Sequence, residues 1–68
     1  MKYLGYQDPS RKPFARKIAD AAARYEEKTG RRATLVLVNP KDLVMVDGLD
    51  VRAVAHVARH TMLVGEIG

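Results

Sequence analysis

No cysteine occurs among the 68 residues of this chain, and that absence governs how so short a polypeptide can hold a fold. A chain of this size buries roughly 60% of the surface that its unfolded form exposes, so its stability margin is thin. Disulfides are excluded, and a thiolate metal site with them. The remaining stability has to come from tight apolar packing, from self-association or from a partner, and association is the expectation. Apolar residues make up 47% and charged residues 29%, the balance of a globular chain and not of a disordered one. One domain over residues 1–68 is expected.

Three regions follow along the chain. Residues 1–12 read as a lead-in, where Tyr3-Leu4-Gly5-Tyr6 suits a short edge strand and Asp8-Pro9-Ser10 is turn chemistry. Residues 13–29 read as an amphipathic helix. Pro13 suits its first turn, where a missing N–H costs nothing. Phe14, Ile18, Ala21 or Ala22, and Tyr25 recur at spacings of three and four as an apolar stripe. Arg16, Asp20 and Arg24 form opposite-charge pairs four apart, and Gly30 supplies the stop. Residues 33–68 form the sheet region. Ala33-Thr34-Leu35-Val36-Leu37-Val38 is continuous, uncharged and rich in β-branched residues, a strand buried on both faces. Asn39-Pro40 ends it, with Asn39 placed to cap the turn that follows and Asp42 favourable in that turn's first residues.

Residues 43–59 fit two patterns. Asp47-Gly48 is a hairpin signal, while a helical turn over Lys41 to Met45 suits the capping equally well. Val51, Ala53, Ala55 and Val57 alternate as in a strand; Val51, Val54, Ala55 and Ala58 match a helix with Asp50 as N-cap. Thr61-Met62-Leu63-Val64-Gly65 is a strand in either case. The fold class is α+β: one amphipathic helix packed on a small, mainly antiparallel sheet, with a hairpin from about Val51 to Val64. The alternative is a βαβ-type unit with residues 50–59 helical and a parallel sheet.

The run Ala33-Thr34-Leu35-Val36-Leu37-Val38-Asn39-Pro40-Lys41-Asp42-Leu43, followed by Gly48-Leu49-Asp50-Val51 and Thr61-Met62-Leu63-Val64-Gly65-Glu66, resembles part of the tailed-bacteriophage major capsid fold. The resemblance spans about residues 20–67 and falls on the sheet-bearing domain nearest the capsomer axis. It implies a strand ending in an Asn-Pro-x-Asp turn, a strand rather than a helix at residues 51–57, and an antiparallel sheet. It implies no catalytic residue. The chain has no room for that family's long arm, extended loop or spine helix, so what the resemblance suggests is a phage or mobile-element origin and an accessory or self-associating role.

The chemistry-bearing residues do not assemble into a catalytic pattern. His56 and His60 would share a face only on a helix; on a strand they stand about 13 Å apart, too far for one ion. Asp42, Asp47 and Asp50 lack the alternate spacing and terminal glutamate of a calcium loop. Ser10, the sole serine, sits in a turn, and no glycine-rich loop precedes a helix. No enzyme activity, cofactor or metal is expected. No apolar run approaches the ~20 residues of a membrane span, and no apolar segment follows the N-terminal Met1-Lys2. Cytoplasmic residence and no membrane partner are the expectation.

Charge offers the one functional asymmetry. Residues 1–32 hold nine Lys and Arg against four acids, whereas residues 33–68 hold three against four. Arg11-Lys12 and Arg31-Arg32 bracket the helix and are the candidate contacts for an anion or a nucleic acid. Because one helix covers one face of a sheet, Val36, Met45 and Val54 are the candidate interface residues. The expected function is a small non-enzymatic interaction or self-assembly module, a homo-oligomer or a subunit docked on a larger protein; the alternative is a nucleic-acid-binding accessory protein.

Overall fold

Helix α1 (Phe14–Thr29) forms where the three-and-four spacing puts it. The computed structural model describes residues 3–67. Pro13 precedes the helix with its carbonyl accepting from Arg16 and Lys17 N–H at 3.0 and 3.2 Å. Gly30 ends it in the left-handed conformation, φ 72°, which a residue without a Cβ adopts at little cost. Four strands complete the architecture: β1 (Leu4–Gln7), β2 (Leu35–Val38), β3 (Asp50–Ala53) and β4 (Thr61–Gly65). They form one sheet in the order β1-β4-β2-β3. The β1/β4 and β2/β4 pairs are antiparallel, and β2/β3 is parallel. The fold is thus α+β, one helix on a mainly antiparallel sheet.

Two expectations are corrected. The hairpin from Val51 to Val64 does not form, because β2 lies between β3 and β4. The Asp47-Gly48 turn is present, with Gly48 at φ 83° and Leu49 N–H bonded to the Val46 carbonyl. It feeds a strand parallel to β2 instead of one that folds straight back. The helical alternative over residues 50–59 also fails: β3 ends at Ala53, and residues 55–57 are turns and bends.

Register and alternation sort the side chains. Leu4 and Tyr6 of β1, Met62 and Val64 of β4, Val36 and Val38 of β2, and Val51 of β3 pack on the helix side, where Ile18, Ala21 and Tyr25 meet them. Val44, Val46 and Leu49 pack against the same core. The extended segment between β2 and β3 therefore fills the place a second helix takes in a βαβ crossover. The opposite face carries Gly5, Leu63, Leu37 and Arg52 in one row across the four strands, with Leu35 and Asp50 beside them. Helix α1 packs on the other face; on this one Leu37 and Leu63 are partly exposed, whereas Leu35 is buried.

Ile18, fully buried at the centre of the helix–sheet contact, gives a direct measure of this packing. Ile18→Ala should lower stability by about 2–5 kcal/mol, a large part of the ~3–10 kcal/mol expected for a domain this size. Met45→Ser, at a position 78% exposed, should stay within about 0.5 kcal/mol of the parent. Urea titrations followed by circular dichroism compare the two, and equal midpoints would contradict the placement of the core.

Candidate functional site

Polar groups converge at one end of the sheet, where the loops after β1, β2 and β3 meet the start of β4. Asn39 opens a 3-10 turn over Pro40–Asp42: its Oδ1 accepts from Lys41 N–H at 2.9 Å, while its Nδ2 donates to the Val57 carbonyl at 2.8 Å. Asp42 is 7% exposed. Its Oδ2 accepts from His60 N–H at 2.8 Å, and its Oδ1 accepts from Arg59, with Nε and Nη2 both 2.9 Å away. Burial pushes the Asp42 carboxyl up, but the His60 amide and the Arg59 guanidinium outweigh it and hold the group below the usual 3.8. His60 itself has φ 61°, a left-handed conformation that costs a residue with a Cβ roughly 1–2 kcal/mol.

Lys17 extends the cluster to the helix. It is 3% exposed, and its Nζ donates to the Asp8 carbonyl at 2.8 Å and lies 3.4 Å from His60 Nδ1. Its ammonium stands 5.7 Å from the centre of the Phe14 ring, within the range of cation–π attraction. Asp8 N–H bonds the His60 carbonyl, and Asp8 Oδ1 accepts from Ser10 N–H. The Ser10 side chain, and after it this backbone bond, lower the Asp8 pKa. Three loops are thus fastened through Lys17, Asp42 and His60.

A cleft of about 280 Å³ opens beside this cluster, lined by Tyr6, Lys12, Lys17, Asp20, Arg24 and Met62 among others. The Tyr6 hydroxyl is buried without a hydrogen-bond partner. Charges of both signs line the cleft, and it contains no hydroxyl or thiol nucleophile paired with a base, the geometry covalent catalysis requires. Among the described residues no three His, Asp or Glu side chains come together to hold a metal ion. His56 is exposed in a turn, and His60 faces Lys17.

The four basic candidates are exposed but lie at opposite ends of α1, some 24 Å of helix apart at 1.5 Å per residue. Lys12 pairs with Asp20 at 3.5 Å, and Arg31 Nε with Glu66 Oε1 at 3.0 Å. Arg11 lies in the loop before the helix, and Arg32 borders the groove beside Gly48 and Leu49. The structure does not bring the four together. Val36 is corrected outright: it is 0% exposed, because alternation turns it to the helix, and it has no surface to offer a neighbour. Met45 is exposed and Val54 half-buried at the end of β3. Lys17, by contrast, is a buried cation whose position the sequence signals: Phe14, Lys17 and Ala21 follow the same three-and-four spacing as the apolar stripe. Comparison with protein-family models, curated proteins and solved structures gives no significant match.

The polar cluster makes two predictions about folding. Because its folded pKa is depressed, Asp42 contributes stability above its unfolded value and loses it as pH falls through the lower folded value. Asp42→Asn should therefore cost about 1–3 kcal/mol at neutral pH and flatten the loss of stability below pH 3.8; an unchanged acid limb in pH-dependent urea titrations would contradict this. His60→Ala and His60→Gly both lose the ring beside Lys17, but only glycine relaxes the positive φ. The glycine variant should be more stable than the alanine variant by about 1 kcal/mol, read from the same titrations.

Proposed function

We propose that this chain is a small, non-enzymatic self-assembly module that acts through the part of its sheet that no helix covers. The observation that carries this reading is the outer face: Leu37 and Leu63 are partly exposed neighbours across β2 and β4, on the side away from α1. Leu43, Met45 and Ile67 add exposed apolar surface elsewhere. A chain of this size gains stability by covering such surface with a neighbour. The resemblance to the axial domain of phage capsid subunits supports a phage or mobile-element origin, and the lack of cysteine is in keeping with a reducing, cytoplasmic setting.

Light scattering coupled to size-exclusion chromatography tests the reading over a range of micromolar concentrations. The mass should rise with concentration to at least twice the 7.6 kDa of one chain. A mass that stays at one chain throughout would end the self-assembly reading. Nucleic-acid binding through the basic first half would then take precedence, and it would show as a gel shift that weakens steeply with salt.

A further inference from the structure

The outer face does not fix how two copies align, and the free edge of β3 carries a specific answer. β3 has β2 on one side and no strand on the other among the described residues. Asp50 N–H bonds the Thr34 carbonyl and Val54 N–H the Val38 carbonyl. By alternation, Asp50, Arg52 and Val54 direct their backbone groups at β2, and Val51 and Ala53 direct theirs outward. An exposed row of this kind is a template for pairing with another strand.

Charge selects the strand. Asp50 and Arg52 are two residues apart, so both side chains stand on the outer face, where they form an ion pair of 2.7 Å with 38% and 61% of the side chains exposed. Natural edges are often guarded by charge, and an edge bearing one sign would repel its own copy. This edge does the reverse. If two copies of β3 pair antiparallel about a two-fold axis through Val51, Val51 meets its own counterpart at a hydrogen-bonded position, which its outward N–H and C=O allow. Asp50 then falls opposite the partner's Arg52, and Arg52 opposite the partner's Asp50. These are the close, non-hydrogen-bonded positions, with Cα atoms about 4.5 Å apart. The hydrogen-bond phase and the charge order agree on one register. The other free edge, β1, has no charged residue within Leu4–Gln7 to mark a register, and Pro9 follows it closely.

We propose that two copies of this chain join through β3, antiparallel about Val51, into a continuous eight-stranded sheet held in register by two Asp50–Arg52 cross-pairs. This rests on the self-assembly reading and adds an edge contact, its symmetry and its alignment. It also places Leu37 and Leu63 of both copies on the same side of the joined sheet.

The test is a charge swap, Asp50→Arg with Arg52→Asp in one chain, which keeps an ion pair inside each protomer but reverses its order. Wild type and swap should each form dimers with themselves. Between them, acid would face acid and base would face base, so mixed dimers should fall well short of the 1:2:1 distribution that free exchange gives. Native mass spectrometry of isotope-labelled wild type mixed with unlabelled swap reads the proportions, with circular dichroism confirming that both are folded. Conversely, the single variants Asp50→Arg and Arg52→Asp should each dimerise at least about tenfold more weakly than wild type, yet pair with one another. Free mixing of wild type and swap, or single variants that associate as well as the parent, would overturn the β3 interface while leaving self-assembly in place. A wild-type chain that is monomeric at every concentration would remove both. Should either single variant fail to fold, the swap alone still decides.

Discussion

The Asp42 carboxylate anchors the arrangement of three strands. β3 and β4 are consecutive in sequence yet lie on opposite sides of β2, so the chain between them must cross the end of β2. That crossing, residues 54–60, carries no helix or strand that could satisfy its backbone by itself. It is fastened at Val57 by the Asn39 amide and at Arg59 and His60 by Asp42. A buried carboxylate is tolerated only where its charge is met by donors, and here the donors belong to the segment that has to be held. The Asn39-Pro40-Lys41-Asp42 turn thus ends β2 and also fixes where β4 begins. His60 accepts an unfavourable φ as the residue that turns the chain into β4, with its amide, carbonyl and ring bonded to or facing Asp42, Asp8 and Lys17 respectively.

Lys17 does for the helix what Asp42 does for the crossing. Its stem lies along the buried face of α1, and its ammonium reaches the loop after β1 at the Asp8 carbonyl, the usual way a long cation reconciles an apolar stem with a polar head. At the other end of the helix, the Tyr25 hydroxyl donates to Glu66 at 2.8 Å, a bond that raises the Tyr25 pKa and that Arg31 flanks from the opposite side of the carboxylate. The helix is therefore pinned to the sheet by polar contacts at both ends, with Ile18 and Ala21 sealing the middle. These contacts are internal, and they account for several residues that a list of charges would assign to a ligand.

The parts of the fold legible in the sequence are those set by local rules. Helical spacing, the glycine stop, the Asn-Pro turn and the two apolar strands depend on neighbours within a few residues, and each forms where those neighbours place it. Strand order depends on contacts between distant residues. Asp47-Gly48 is a sound turn signal, but a turn does not specify its partner strand, and β2 had already taken the place beside β4. Val36 shows the same limit on a smaller scale: a doubly apolar strand gives no indication of which alternate residues meet the helix. Of the candidate contacts, Arg11, Lys12, Arg31 and Arg32 were recognisable as exposed cations, but their separation to the two helix ends follows only from the finished structure. The polar cluster was harder to anticipate, since Asp8, Lys17, Asp42 and His60 are scattered over 53 positions of the chain.

β3, like β1, is a thinly supported edge strand. It has one neighbouring strand, four residues and a single buried side chain, Val51. Its far end is tied down through Val54 and the crossing loop, while its entry is a turn closed by one bond from Leu49 to Val46. Short strands gain most from a second neighbour, because each added hydrogen bond orders backbone that is already half fixed. A partner strand on the free edge would supply that neighbour and satisfy the outward groups of Val51. Any agent that binds the folded state alone also stabilises it. Assembly through this edge would therefore strengthen an element that the isolated chain holds on one side alone, and the folding of β3 and the association of the chain would be linked.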